Sequence, residues 1–351
     1  MKRSRFAFIC ISLLMFGWLW TNWHPVSVQV TAQDSPKSAN SQAASKTVAA
    51  AKGDFEWASG QSFPNFNLDE VLESLKVDIE KLITKKLTKN SDEFRQQMSR
   101  TSFSAKLPPV STKEIPAQEL YRRAIESVYL VVGLTRPKPD KAEWRSAFST
   151  AFVVHEDGVL STSAHVFDHD EHDDAVVVFD VKGNLYPIVE LLAVDRKSDT
   201  CLFRVAAKNL KPIPLASNPS PGSEIRVVGH PGDSLFYFTA GHVGNYEHDE
   251  DGQIWMNITA DFGQGSSGGP VMDNAGNVVG QVSRTYTLYA SGDSTNRGRR
   301  IRKTQQTTDV KPKGTPKKEE PQKEESVVKS SDPQMVFKAC TPVSAIRAMV
   351  K

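Results

Sequence analysis

Stabilising devices other than a packed core are scarce in this chain. Only three of its 351 residues are cysteine. Cys10 falls in the leader described below, which leaves Cys201 and Cys340, too few for a disulfide-built scaffold; whether those two pair is not decided by the sequence. Charge of one sign is lacking too: 43 basic and 41 acidic residues leave a formal net charge of +2. No global field therefore selects nucleic acid or an acidic surface as a partner. The apolar run Phe6–Trp20 is 15 residues long, short of the roughly 20 that a membrane helix needs. No histidine follows His248, an absence that bears on catalysis below. What is present suffices for a globule, since 39% of residues are hydrophobic and 17 are Phe, which excludes wholesale disorder.

Lys2, Arg3 and Arg5 precede that apolar run, and Val30-Thr31-Ala32 offers small residues before Gln33. Residues 1–32 therefore read as an export signal peptide or, because the stretch after Trp20 is long for a cleavage region, as an uncleaved N-terminal membrane anchor. Both readings place the protein outside the cytoplasm, periplasmic or secreted. Residues 33–61, built from Ala, Ser, Gln and Lys, form a flexible linker. Residues 62–114 make a helical extension, in which Leu68, Val71, Leu72, Leu75, Ile79, Leu82 and Ile83 recur at helical spacing after the N-cap candidate Asn67. A helix over 67–89 must bury that stripe, on the following domain or by self-association through a short coiled coil.

Residues 115–351 form one domain. Pro116 opens a short helix, and the period then changes to short apolar runs at 128–134, 151–154, 175–179, 202–205, 225–228 and 278–282. Gly-, Asn- and Asp-containing turns separate them, the pattern of an all-β sandwich or barrel. A charged, Pro-rich insert over 291–332 reads as a disordered surface loop, after which order resumes at Met335 and closes with a helix over 343–350.

The strongest chemical signal is Gly265-Ser266-Ser267-Gly268-Gly269-Pro270. A nucleophilic serine needs a tight turn whose N–H groups face the oxygen that becomes negative during acyl transfer, and glycines permit that turn. Gly265 and Ser267 would supply this oxyanion hole. The same run fits the nucleophile elbow of α/β-hydrolases, but that fold places its catalytic His after the Ser, and every histidine here precedes Ser267. Pro270 also opposes the helix that an elbow requires.

The remaining order, His then Asp then Ser, directs attention to Ser161-Thr162-Ser163-Ala164-His165-Val166. With Ser149-Thr150-Ala151-Phe152-Val153-Val154 and Asp157-Gly158-Val159-Leu160, this segment resembles the first barrel of trypsin-like serine peptidases, especially the bacterial HtrA/DegP type. Val194-Asp195-Arg196-Lys197-Ser198-Asp199-Thr200-Cys201-Leu202 is similar to the family stretch whose second Asp orients the histidine. Val227 to Gly232 and Thr239 to Val243 match second-barrel strands, and the likeness spans about 120 to 288, resuming at Met335. The resemblance implies a chymotrypsin-like fold of two antiparallel six-stranded β-barrels, here with an N-terminal helical extension and a short C-terminal helix. It implies a serine endopeptidase acting on proteins or peptides, with His165 as base, Asp199 as its orienting partner ahead of Asp195, and Ser267 as nucleophile.

The resemblance further implies that Ser283, Arg284 and Thr285 align the substrate as an added strand. It puts Asp261, six residues before Ser267, on the floor of the pocket for the residue whose carbonyl is attacked (P1), where a buried carboxylate would select Lys or Arg. Ser266 stands where pancreatic enzymes carry an activating Asp, so zymogen activation of that kind is not expected. The PDZ domain usual in the HtrA type is not expected within these residues either. No metal or organic cofactor is implied; His169, Asp170, His172 and Asp173 alternate without ligand spacing. The rival reading is a catalytically silent protease-fold binding or scaffold protein, and a second is an esterase on the same barrels.

Overall fold

Runs rich in valine and phenylalanine, punctuated by turn residues, become strands that bury one face or both. In the computed structural model, residues 68–137, 143–169, 171–232, 234–289 and 333–351 are described. The expected leader, linker and 291–332 insert lie outside the described residues. The strands are β1 (Val128–Thr135), β2 (Arg145–His155), β3 (Val159–Thr162), β4 (Ala175–Phe179), β5 (Leu185–Asp195) and β6 (Thr200–Val205), then β7 (Glu224–Gly229), β8 (Tyr237–His248), β9 (Ile254–Ile258), β10 (Pro270–Met272), β11 (Val278–Tyr289) and β12 (Pro333–Pro342). They close into two six-stranded antiparallel barrels, ordered β1-β2-β3-β6-β5-β4 and β10-β11-β12-β9-β8-β7. The fold is chymotrypsin-like, as the resemblance implies.

Each barrel has its own apolar filling. Tyr129, Val153, Leu160, Phe167 and Phe203 fill the first, and Ile225, Met256, Ile258 and Val279 the second. A third cluster, including Phe152, Val154, Val228, Met272 and Val278, packs the barrels against each other. Cys201 lies in the first filling and Cys340 in the second, so the two thiols are buried and free. Beyond Gln281, β11 pairs only with β12 and leaves its other edge open, and the apolar area each barrel removes from water is the main stabilising term.

Helix α1 (Leu68–Thr84) is shorter than the 67–89 expected. It ends where Lys86 takes a left-handed φ of 54° and the Leu87 N–H returns to the Leu82 carbonyl. Its stripe of Val71, Leu75, Ile79 and Leu82 is covered by β1 and β4 residues of the first barrel. Helix α2 (Ser91–Arg95) opens with an Asn90–Glu93 capping box, and its buried Phe94 sits 5.2 Å from Phe167. The extension thereby supports the segment that carries His165. Helices α3 (Ala117–Ala124) and α4 (Val343–Ala348) cover the seam between barrels. The closing helix stops before Val350, because Val350 pairs instead with Phe103. Among the described residues no helix is long and apolar enough to cross a membrane.

Candidate active site

His165 lies in a single 3₁₀ turn (Ala164–Val166) just after β3. The tight turn from β5 to β6 ends at Asp199, whose φ of 54° is left-handed, a conformation Asp tolerates better than most residues. The two side chains meet directly: Nδ1 of His165 lies 2.9 Å from Oδ2 and 3.0 Å from Oδ1 of Asp199. The His165 backbone N–H also donates to Oδ1 at 3.0 Å. The carboxylate's third donor comes from the other barrel, where the Ser283 hydroxyl gives a 2.6 Å bond to Oδ2.

These contacts set the charge states. Burial opposes ionisation of His165, but the hydrogen bond and negative charge of Asp199 outweigh it, so the His165 pKa stands above the ordinary value. Burial likewise opposes the Asp199 carboxylate, and the donors from His165 and Ser283 more than offset it, holding its pKa below the usual range. With Nδ1–H directed at the carboxylate, Nε2 is left as the accepting nitrogen. Asp195 is occupied elsewhere, accepting from the Lys197 N–H and the Ser198 hydroxyl, which is the turn-capping role open to it.

Ser267 comes from the loop before β10 in the second barrel. Its backbone carbonyl accepts from the Thr150 N–H on β2 at 2.8 Å, which ties the Ser267 loop to the first barrel. Its hydroxyl donates to the Ser283 carbonyl at 3.4 Å rather than to His165. Ser283 therefore touches both Ser267 and Asp199 from one strand, β11. Along this loop the N–H groups of Ser266, Gly268 and Gly269 donate to the Gly263, Val282 and Ser266 carbonyls. Among the described residues the N–H groups of Gly265 and Ser267 have no backbone acceptor, so both donors could serve an oxyanion.

Two glycines are obligatory in this turn. Gly265 has φ +94° and a Cβ there would fall on the His230 carbonyl; Gly268 has φ +86° and a Cβ would overlap the Thr150 carbonyl and Thr162 hydroxyl. Beneath them lies His230, fully buried, with its pKa pushed down to about 3 by that burial. The Thr150 hydroxyl donates to the Gly265 carbonyl at 2.8 Å and accepts from the His230 backbone N–H at 3.2 Å. Nδ1 of His230, 3.0 Å away, then carries the proton and donates to the same oxygen. That leaves Nε2 as a bare acceptor without a hydrogen-bond partner among the described residues.

A polar seam holds the two halves in register. Ser161 donates to Gln281 at 2.6 Å, Ser163 to the Val282 carbonyl at 3.1 Å, and Thr341 to the Ser198 carbonyl. All are buried, where an unpaired hydroxyl would be costly. Thr150 and Thr162 were not singled out by sequence, and Ser283 was expected only to align substrate, not to bond Asp199. The available signal was a hydroxyl inside an apolar strand run, which must find a partner without the sequence saying which.

Of the expected specificity residues, Thr285 is exposed on β11, while Arg284 lies over the Trp255 ring at 3.8 Å and 3.6 Å from Asp249. Asp261 departs from expectation. Its side chain is 85% exposed and pairs with Lys338 at 3.5 Å, because the segment leading to Ser267 turns this carboxylate outward while its neighbour Phe262 is buried. A buried carboxylate floor is thus not formed. Among the described residues no group of three or more His, Cys, Asp or Glu side chains is arranged to hold a metal.

With this geometry in view, the trypsin-like peptidase domain model matches residues 149–280, an interval running from β2 through the Ser267 loop into β11. Residues 149–280 carry a trypsin-like peptidase domain, and the chain has relatives that include proteins of the HtrA type. It is 24% identical over 193 residues to a probable periplasmic serine endoprotease DegP-like of Pseudomonas fluorescens, covering 54% of this chain and 38% of that one. It is 30% identical over 150 residues to serine protease HTRA1 of Xenopus laevis, covering 40% and 32%. The chain spans about a third of the length of these relatives. A solved structure of an HtrA-type protease with a decapeptide matches with a TM-score of 0.43 at 19% identity, covering 52% of this chain and 61% of that chain.

Proposed function

We propose that this protein is an exported serine endopeptidase that cleaves peptide bonds through an acyl-enzyme on Ser267. The observation that carries the reading is the chain of contacts from His165 through Asp199 to Ser283 and Ser267, drawn from loops of both barrels. As a peptide carbonyl approaches, the Ser267 hydroxyl leaves the Ser283 carbonyl and gives its proton to His165 Nε2 while its oxygen bonds to the carbonyl carbon. The carbonyl oxygen becomes an oxyanion held by the Gly265 and Ser267 N–H groups. Asp199 stabilises the imidazolium. His165 then returns the proton to the leaving amine, and water repeats the sequence to release the acid and restore Ser267. The substrate pairs along Ser283, Arg284 and Thr285 as an added strand.

Export rests on the basic start and the apolar run of residues 1–32, and on relatives whose names place them in the periplasm. Mass spectrometry of the mature N-terminus distinguishes a cleaved leader beginning near Gln33 from a retained anchor. The activity is tested by a fluorophosphonate probe and by casein digestion, comparing the full chain with Ser267→Ala. Wild type should label and digest casein, and the variant should do neither. An unlabelled wild type would favour the silent scaffold reading, and ester cleavage with intact casein the esterase.

A further inference from the structure

In the second barrel, which also carries Ser267, two segments face each other. One is the approach to the nucleophile, Asp261 to Gly265; the other is the β11–β12 ladder. On the proposed pairing of a peptide along Ser283 to Thr285, with its carbonyl against Ser267, the side chain of the attacked residue would enter the gap between them. The residue in register with Thr285 across the ladder is Lys338. Its side chain is only 16% exposed, and its ammonium reaches back toward the approach segment. Nζ donates to the Phe262 carbonyl at 2.5 Å and lies 5.2 Å from the Phe262 ring centroid.

Lysine is rarely sequestered to this degree unless its charge is compensated. Here the carboxylate in reach is Asp261, 3.5 Å away with its own side chain 85% exposed, so that pair is open to solvent screening. The ammonium has three N–H donors; the Phe262 carbonyl takes one and Asp261 offers a weak partner for a second. A largely covered cation with donor capacity to spare thus borders the gap that the P1 side chain would enter. The charge expected there from sequence, the Asp261 carboxylate, is outside, and a charge of the opposite sign is inside.

We infer that Lys338 makes this protein cleave after acidic residues, the Asp or Glu carboxylate at P1 meeting the Lys338 ammonium. This rests on the peptidase reading above. A carboxylate short enough to enter would exchange its water for a charge-assisted hydrogen bond and displace Asp261 as the partner. A basic side chain would bring like charge beside Lys338, and an aliphatic one would leave the ammonium covered and less well partnered.

The test is kcat/KM of the full chain on a peptide series that varies only at P1: Asp, Glu, Val, Leu, Lys and Arg. Wild type should prefer Asp or Glu over Val by about tenfold or more, the scale of a charge-assisted hydrogen bond. Lys338→Arg should keep that order, and Lys338→Met should abolish it and raise the relative rate after Val and Leu. A wild-type preference for Lys, Arg or aliphatic P1 residues overturns the inference without any variant, so a misfolded Lys338→Met does not protect it. Wild type that labels with fluorophosphonate but cleaves without acid preference refutes the role of Lys338 alone. Wild type that neither labels nor cleaves refutes the peptidase reading beneath it.

Discussion

Replacing Asp199 by Asn keeps the shape of the group facing His165 and removes its charge. The carboxylate accepts from the His165 backbone N–H at 3.0 Å, from Nδ1 at 2.9 Å and from the Ser283 hydroxyl at 2.6 Å. An amide offers one accepting oxygen and an NH₂ group that donates, so at least one of these donors ends facing another donor. Either Ser283 loses its partner or the imidazole shifts its proton to Nε2, the nitrogen that must accept from Ser267. Each lost charge-assisted bond is worth about 1.5–3 kcal/mol, and the equivalent change in a serine-protease triad costs about 10⁴ in kcat, roughly 5 kcal/mol at 1.36 per decade. Asp199→Asn should therefore lower kcat by about 10³ to 10⁴ while substrate binding changes little. The pH profile adds an independent sign. In the native site the carboxylate raises the His165 pKa against the opposing effects of burial and of His169; with the charge gone, these are unopposed and the pKa falls. The acid limb of kcat/KM, which reports protonation of the base, should then move to lower pH. The assay is steady-state cleavage of one peptide over a pH series, normalised by active-site titration. A loss below tenfold with an unmoved acid limb would refute Asp199 as the orienting charge.

Other consequences are as specific. Gly268→Ala forces a side chain into the left-handed region against Thr150 and Thr162, adding about 1–2 kcal/mol of backbone strain to about 1–3 of overpacking; a urea midpoint equal to wild type would contradict this. Ile79→Ala deletes a fully buried side chain of α1 packed on the first barrel and should cost about 2–5 kcal/mol, whereas a loss near zero in urea denaturation would mean that the helix does not dock. His230, with its pKa pushed down to about 3, should show no imidazole titration by NMR between about pH 5 and 8; a midpoint in that window would mean that the residue is not sealed beneath the Gly265 turn.

Much of the architecture was legible where burial and periodicity agree. β1 and β4 are buried along their whole length and appear in the sequence as unbroken apolar runs. β8 is half open to solvent and carries His, Asn and Glu, so no periodic signal marks it and only the family likeness did. β5, with Pro187 inside it, and β9 have no counterpart among those runs. Proline is tolerated in β5 because the β4 ladder ends at it, Val177 opposite Pro187, and the β6 ladder begins beyond it at Ile188. Helix ends were less legible than helix centres, because they depend on a left-handed Lys86 and on Val350 finding Phe103, contacts that no local pattern announces.

Within the site, the residue types and their order along the chain were determined by the sequence itself. A serine among glycines and no histidine after it leave the order His, Asp, Ser, because each role requires a particular functional group and backbone freedom, and the family resemblance then points to Asp199. What only the tertiary structure decided is which groups share space. That Ser283 bonds Asp199, that Thr150 links His230 to the Gly265 turn, and that Lys338 lies inside while Asp261 points outward depend on how β2, β11 and β12 cross. Side-chain direction and solvent access are properties of the packed barrels, and Coulomb and hydrogen-bond energies follow distance and burial, neither of which a linear order of residues contains.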